Sequence, residues 1–232
     1  MTAYLFPPPE VPSLPVAGTG LRYPVRRIFC VGRNYEEHAR EMGNEVDREA
    51  PFYFTKSPAA LAGSGAELPY PPGTADFHHE MELVAALGAP LFRAGADETL
   101  AAVFGYACGL DMTRRDLQGQ AKEKRRPWDT GKDFENAAVI GRIRPAADFG
   151  VPGPQRISLS VNGATRQDAH LRDMVWSLPE LLAHLSTLYH LGPGDLVMTG
   201  TPAGVGPVVP GDRISGTIEG LDAVELRIGA AG

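Results

Sequence analysis

The sequence contains few cysteines, with only Cys30 and Cys108 among its 232 residues. Each lies in a short apolar stretch, which is typical of a buried free thiol in a reducing compartment. The count alone leaves a disulfide open, but we expect two core thiols and a cytoplasmic location.

Long apolar runs and strongly basic segments are also missing. No run approaches the roughly 20 residues that span a bilayer, and residues 1–15 lack the basic-then-apolar order of a secretory signal. The 22 Lys+Arg and 28 Asp+Glu residues give a formal net charge of −6. The longest group of basic residues is confined to 122–126. We therefore expect binding to neither nucleic acid nor membranes.

Glycine and proline are abundant instead, with 27 and 21 residues spread along the whole chain. Such punctuation indicates many turns between short strands. Residues 1–24 show little periodicity and are predicted to form an extended N-terminal arm, followed by a single domain over 25–232. Strand patterns occur at 27–31, 52–56, 80–87, 103–110, 156–162, 195–198, 213–218 and 223–228.

Helical patterns are fewer. They occur at 35–42, 97–102, 113–124 and 177–188, with Ser177 and Glu180 spaced as in a helix N-terminus. Because helices and strands do not alternate regularly, a doubly wound parallel sheet is disfavoured. The sequence predicts a β-rich α+β fold.

Two carboxylates mark the start of one strand pattern, in the segment His78-His79-Glu80-Met81-Glu82. Side chains alternate along a strand, so Glu80 and Glu82 share one face and His79 points to the other. A solvated strand edge explains such a pair. A bound cation is the alternative, because an apolar run follows and limits solvent.

Asp111 offers a third carboxylate at a strand-to-helix junction. If the helix begins near Asp111, then Arg115 and Gln118 share its face. Asp111 is then either a helix N-cap or a partner of the two glutamates. Three carboxylates without Cys/His ligand spacing suit Mg²⁺ or Mn²⁺ rather than zinc.

A possible general base lies near the N-terminus. On the predicted helix His38 and Glu41 are three positions apart, so the carboxylate can orient the imidazole and raise its basicity. A solvated polar helix face is the alternative. Further along, Lys132 is suited to neutralise a carboxylate, and the small residues of 199–206 can cradle an anion; a surface lysine and an ordinary turn are the alternatives.

Taken in order, five motifs closely resemble the fumarylacetoacetate hydrolase family, and within it the small acylpyruvase and fumarylpyruvate hydrolase group. The resemblance covers about residues 20–230. The motifs are Gly32-Arg33-Asn34-Tyr35 with His38 and Glu41, His79-Glu80-Met81-Glu82-Leu83, Leu110-Asp111, Trp128 with Lys132 and Phe134, and Thr199-Gly200-Thr201-Pro202-Ala203-Gly204-Val205.

The resemblance implies a mixed β-sandwich roll, a homodimer, and a single catalytic domain over 25–232. It implies Mg²⁺ or Mn²⁺ on Glu80, Glu82 and Asp111, and it makes His38 and Glu41 a water-activating dyad on a lid segment. The remaining assignments are catalytic roles for Lys132 and Gln118 and substrate contacts for Arg33, Arg115 and Thr201.

The chemistry expected of such a site is hydrolysis of a carbon–carbon bond. A 2,4-dioxo acid (acylpyruvate) would chelate the metal through its 1-carboxylate and 2-oxo oxygens, and His38 would activate water to attack C4. Gln118 and Lys132 would hold the carboxylate end and the developing charge. Pyruvate would leave as an enolate that is protonated at C3.

The acyl group is predicted from Lys56, which ends the strand pattern 52–56. Paired with the distal carboxylate of the substrate, together with Arg33, it would favour fumarylpyruvate, giving fumarate and pyruvate. The stretch 52–56 also resembles the fumarylpyruvate hydrolases of aromatic-acid (gentisate) degradation. The alternatives are a general acylpyruvase, an oxaloacetate decarboxylase, which needs no attacking water, and an inactive metal-binding interaction domain.

Overall fold

The computed structural model describes residues 3–43 and 48–231. Its strands are β1 (Ser13–Pro15), β2 (Arg22–Pro24), β3 (Arg27–Gly32), β4 (Phe52–Lys56), β5 (Leu61–Gly63), β6 (Ala66–Tyr70), β7 (Phe77–His79), β8 (Met81–Leu87), β9 (Val103–Asp111), β10 (Thr113–Arg114), β11 (Ala138–Ile140), β12 (Arg144–Pro145), β13 (Arg156–Val161), β14 (Ala164–His170), β15 (Asp195–Met198), β16 (Gly206–Pro207), β17 (Arg213–Ile218) and β18 (Val224–Ala231). Its α-helices are α1 (Glu36–Glu41), α2 (Ala96–Thr99), α3 (Arg115–Glu123), α4 (Asp129–Lys132), α5 (Ala146–Phe149) and α6 (Leu178–Leu188).

The largest sheet follows the order β4-β3-β15-β8-β9-β11-β5, and β12 pairs with β9 beside it. It is mixed: β15 runs parallel to β3 and β11 parallel to β5, whereas β8 pairs antiparallel with both β15 and β9. Every residue of β8 is buried. Its nearly continuous apolar sequence is typical of a strand covered on both faces.

A second sheet, in the order β14-β13-β17-β18-β6, contacts the first through β13 on β8 and β17 on β9. Met81, Leu83 and Ile157 belong to the core cluster between the two sheets. Val84 and Cys30 belong to a smaller cluster on the outer face of the first sheet. Alternate residues of β8 therefore pack on opposite sides, and Glu82 has the same phase as Val84.

The predicted elements are confirmed. All eight strand patterns contain a strand, and each helical pattern contains a helix, the one at 97–102 being completed by a 3-10 turn. At the start of α6 the Glu180 carboxylate accepts a hydrogen bond from the Ser177 backbone N–H at 2.8 Å. Cys30 and Cys108 are free and buried.

The N-terminal region is more structured than the sequence predicts. β1 and β2 form an antiparallel hairpin, whose Leu14 and Tyr23 are buried in the outer core cluster. Before the hairpin, Tyr4, Leu5 and Phe6 are exposed. Among the described residues no helix is long and apolar enough to cross a membrane.

Candidate active site

Three buried carboxylates meet at one end of the central strands. Glu80 lies between β7 and β8, Glu82 lies in β8, and Asp111 ends the neighbouring strand β9. Each side chain supplies an oxygen that lies within 4.8 Å of the others. The strand alternation inferred from the sequence therefore places the two glutamates side by side as expected. The N-cap alternative for Asp111 is wrong, since α3 begins only at Arg115 and its N-cap residue is Arg114.

Lys132 joins two of these carboxylates. Its Nζ atom lies 2.8 Å from Glu80 Oε2, 2.7 Å from Asp111 Oδ2 and 2.7 Å from Thr113 Oγ1. Burial opposes the positive charge, but the carboxylates of Asp111 and Glu80 outweigh it and raise the pKa of Lys132. The surface-lysine alternative is thus excluded.

Glu80 and Glu82 differ in charge partners. Burial of Glu80 is outweighed by Lys132, Arg115 and His38, which hold its pKa well below the usual range. For Glu82, burial and the neighbouring carboxylates of Asp111 and Glu80 raise the pKa well above that range. Within the described residues Glu82 forms no ion pair, and its Oε2 accepts a hydrogen bond only from the Gly200 N–H, at 2.8 Å.

This donor set fits a hard divalent cation. Carboxylate oxygens are the ligands that Mg²⁺ and Mn²⁺ prefer, and Glu82 is a buried carboxylate that forms no ion pair within the described residues. Asp111 Oδ1, by contrast, is paired with the Lys56 ammonium at 2.8 Å. A divalent ion would supply the counter-charge that Glu82 lacks.

Lys56 does not reach the cavity expected for the substrate, so the role predicted for it is wrong. Its side chain is buried, with Nζ 2.8 Å from Asp111 Oδ1 and donating to the backbone carbonyls of Met112 and Lys132. Its ammonium is therefore fully engaged behind the carboxylates. The strand position was predicted correctly, but the direction of the long side chain was not.

Arg115 and Gln118 come from the first turns of α3. Arg115 donates to Glu80 Oε1, and its Nη1 donates to Gln118 Oε1 at 2.7 Å. The helix α3 approaches α4 very closely: a Cβ atom added to Gly131 would lie only 2.8 Å from the Gln118 backbone nitrogen. Gly131 thus allows Lys132 and Gln118 to reach the same space.

The predicted dyad forms on α1. His38 is buried and its Nδ1 lies 3.2 Å from Glu41 Oε2, which leaves Nε2 as the proton-accepting nitrogen. Burial lowers the pKa of His38, with Arg115 acting in the same direction and Glu80 and Glu41 opposing it. Burial therefore favours the neutral form of the imidazole.

The small-residue loop 199–206 does cradle anions, and these anions are the protein's own carboxylates. The Gly200 N–H donates to Glu82, and the Gly204 N–H lies 3.1 Å from Glu41 Oε1. Gly204 has a φ of +94°, and a Cβ atom there would meet the Arg166 carbonyl oxygen at 1.9 Å. Only glycine is compatible with this position.

Gln167 was not identified from the sequence, yet it fixes this loop. Its Nε2 donates to Thr201 Oγ1 and to the Pro202 carbonyl, both at 2.8 Å, while its Oε1 accepts from the Met81 N–H. The same oxygen lies 3.3 Å from His79 Nδ1. His79 therefore points away from the glutamates, as the alternation predicts.

A single cavity brings the predicted residues together. Its lining includes eight of them, namely Arg33, His38, Glu80, Glu82, Arg115, Gln118, Lys132 and Thr201. Glu41 and Asp111 do not line the cavity but contact the lining residues His38 and Lys132. The lining also contains Phe54, Lys122 and Trp128, none of which was predicted as a site residue from the sequence. Lys122 lies four positions after Gln118 and seven after Arg115, and this spacing would have placed it on the same helix face.

Comparison with known proteins agrees with this architecture. Residues 27–229 match the family model described as Fumarylacetoacetate (FAA) hydrolase C-terminal. A fumarylpyruvate hydrolase of Ralstonia sp is 52% identical over 192 residues, or 82% of this chain and 100% of that relative. An oxaloacetate tautomerase of Escherichia coli (strain K12) is 41% identical over 204 residues, or 88% of this chain and 93% of that relative.

The fold has a close counterpart among solved structures. The crystal structure of fumarylpyruvate hydrolase from Pseudomonas aeruginosa in complex with Mn²⁺ and pyruvate matches with a TM-score of 0.95 and 45% identity, covering 98% of this chain and 100% of that one. This confirms the β-rich α+β class predicted from the sequence. Since the family match spans nearly the whole chain, the protein belongs to the fumarylacetoacetate hydrolase family.

Proposed function

We propose that this protein is a metal-dependent hydrolase of 2,4-dioxo acids that converts fumarylpyruvate and water to fumarate and pyruvate. The observation that carries the proposal is that one cavity brings the imidazole of His38, oriented by Glu41, together with Glu80 and Glu82, two members of the buried carboxylate triad. The similarity to the fumarylpyruvate hydrolases of Ralstonia and Pseudomonas aeruginosa supports the choice of substrate.

The metal would be held by Glu80, Glu82 and Asp111. When bound, Mg²⁺ or Mn²⁺ supplies positive charge for the dioxo-acid oxygens and for the electron pair left on the pyruvate half. Lys132 forms ion pairs with two of the carboxylates, Glu80 and Asp111, and holds them in place.

His38 acts as the general base in this proposal. Its Nε2 takes a proton from water, and the hydroxyl oxygen bonds to C4 of the substrate. The C3–C4 bond then breaks, its electron pair stays on C3, and a proton added at C3 completes the methyl group of pyruvate. The acyl half leaves with the new carboxyl group, as fumarate.

Gln118 is placed to stabilise the oxygen on C4. Because its Oε1 accepts from Arg115, its Nε2 amino group remains as a donor toward the cavity. A donor aimed at a developing oxyanion favours the transition state over the ground state. Thr201, held by Gln167, is a further polar contact for substrate on the opposite wall.

The pH profile tests the dyad. We expect kcat/KM to fall as the pH drops through the pKa of His38, which lies below its usual 6.5. Because Glu41 raises that pKa, Glu41→Gln should move the acid limb to lower pH while lowering the plateau. The measurement is kcat/KM against pH for both proteins.

The matched control is Glu37→Gln on the exposed side of the same helix. It should leave the acid limb unmoved. An acid limb that stays at the same pH in Glu41→Gln would show that Glu41 does not act through His38.

Loss of the ultraviolet enol absorbance tests the activity itself. Fumarylpyruvate, acetylpyruvate and oxaloacetate should be compared with Mg²⁺, with Mn²⁺ and after chelation. We expect metal-dependent loss of fumarylpyruvate absorbance with one pyruvate formed per substrate consumed. Consumption of oxaloacetate alone would contradict the proposal.

Oxaloacetate tautomerisation is the second candidate, because the Escherichia coli relative carries that activity in its name. It stands beside the oxaloacetate decarboxylation considered from the sequence. Tautomerisation moves a proton at C3 and breaks no carbon–carbon bond, so pyruvate formation separates the two.

We further propose a homodimer in the cytoplasm. The exposed Tyr4, Leu5 and Phe6 of the N-terminal arm support a protein partner, and the two free thiols support a reducing compartment. Light scattering should give twice the chain mass of 24.8 kDa.

A further inference from the structure

Two cations of the cavity form no ion pair with any carboxylate of the described residues. Lys132 is paired with Glu80 and Asp111, and Arg115 with Glu80. Arg33 and Lys122 line the same cavity, but no carboxylate within residues 3–43 and 48–231 forms an ion pair with either.

Aromatic rings hold both of these cations instead. The Lys122 ammonium lies 5.0 Å from the centre of the Trp128 ring, and the Arg33 guanidinium lies 6.0 Å from that of Phe52. Such contacts orient a cation without neutralising its charge. Both charges therefore remain available to an anion that enters the cavity.

The electrostatics around Lys122 favour such an anion. Burial, followed by the positive charges of Arg115 and Arg33, lowers the pKa of Lys122 to about 8. Glu80 opposes this shift, and Lys132 adds to it. Positive charges held close together repel one another, and a carboxylate bound beside Lys122 would offset this repulsion.

The backbone at Arg33 is also unusual. Arg33 has a φ of 58°, the left-handed conformation that non-glycine residues rarely adopt. It directly follows β3, where the chain turns toward α1. Strain of this kind at a cavity wall is typical of a side chain held in place for binding.

We propose that Lys122 and Arg33 bind the distal carboxylate of the substrate and so select dianionic acylpyruvates over acetylpyruvate. This inference rests on the proposed function and transfers to Lys122 the part that the sequence suggested for Lys56. Phe54 and Trp128 line the same cavity, with ring centres 6.0 Å apart, and offer an apolar surface against which a flat unsaturated chain would pack.

The test compares Lys122→Met with the unaltered protein on two substrates. The ratio of kcat/KM for fumarylpyruvate to that for acetylpyruvate should fall roughly 10- to 100-fold, because a charged hydrogen bond to only one substrate is lost. The loss should appear mainly in KM. Lys122→Arg keeps the charge and should retain most of the preference.

Lys124→Met is the matched control. Lys124 lies one position beyond the end of α3 and is exposed, so this change should leave the ratio as it is. An unchanged ratio in Lys122→Met, or an equal loss on both substrates, would overturn the inference. Thermal unfolding of each variant separates loss of binding from loss of fold.

Fumarate itself gives a readout that does not need turnover. Its affinity, measured by calorimetry, should fall at least about fivefold in Lys122→Met and stay constant in Lys124→Met. If the unaltered protein cleaves neither acylpyruvate, the proposed function fails, whereas the fumarate affinities still decide the carboxylate site. Equal fumarate affinities in all three proteins would refute it.

The pH dependence of the preference adds a second signature. Groups such as His38 act on both substrates, so their titration cancels in the ratio. The preference for fumarylpyruvate should decline as the pH rises through the pKa of Lys122, about 8, and Lys122→Arg should abolish this decline. The same decline in Lys122→Arg would contradict the assignment.

Discussion

Replacing His38 with alanine should reduce kcat/KM for fumarylpyruvate roughly a thousandfold, the usual contribution of a positioned general base. The His38 imidazole lines the cavity, burial lowers its pKa and so favours its neutral form, and Glu41 holds its Nδ1. With alanine in its place, the attacking water loses its proton acceptor. Steady-state kinetics at saturating metal measure the effect, which should lie in kcat.

Oxaloacetate provides the internal comparison for this variant. Its decarboxylation or tautomerisation requires no attacking water, so the rate on oxaloacetate should fall far less than the rate of hydrolysis. Glu37→Gln, on the same helix, controls for disturbance of α1. An equal loss on both substrates would mean that His38 maintains the cavity without activating water.

Much of the fold was predictable because its longer strands carry strong patterns. β8 and β9 read as apolar runs, and Asn162-Gly163 predicts a hairpin turn, which the structure confirms with φ values of 52° and 80°. Strands of two or three residues, such as β7 and β16, contain too few positions to show a period of two. They form because neighbouring strands pair with them, and a single sequence does not reveal that pairing.

The carboxylate triad was predictable for a local reason. Alternation along one strand places Glu80 and Glu82 on the same face whatever the surrounding fold. Asp111 was predicted at the start of a helix, but it lies at the end of the strand β9, which is adjacent to β8. The sequence therefore predicted the third carboxylate correctly and its secondary-structure element incorrectly.

The two lysines show where sequence reasoning failed. Lys56 and Lys122 both lie close to the site, and the sequence alone does not show which of the two faces the substrate cavity. Lys56 lies on the sheet beneath Asp111, whereas Lys122 lies on a helix above the cavity. The packing of α3 and α4 against the sheet buries Lys56 in the interior and leaves Lys122 facing the substrate cavity, and the sequence does not reveal this packing.

The charge balance of the triad predicts opposite effects for two matched substitutions. Glu82 is buried beside two carboxylates and forms no ion pair within the described residues, and the charge of Lys132 offsets only part of the repulsion. Glu82→Gln should therefore make the metal-free protein more stable, since it removes this repulsion while keeping an acceptor for the Gly200 N–H. Asp111→Asn should destabilise it by about 3–5 kcal/mol, because Lys56 and Lys132 lose a buried partner.

Metal titration completes the contrast. A metal at a hundredfold excess over its Kd stabilises a protein by about 2.7 kcal/mol, so Mg²⁺ or Mn²⁺ should raise the Tm of the unaltered protein. This rise should vanish in both variants, together with hydrolysis. A Glu82→Gln protein that is stabilised without metal yet inactive with it would show that Glu82 is retained for the cation at the expense of stability. A metal-induced rise in Tm that persists in both variants would place the cation elsewhere.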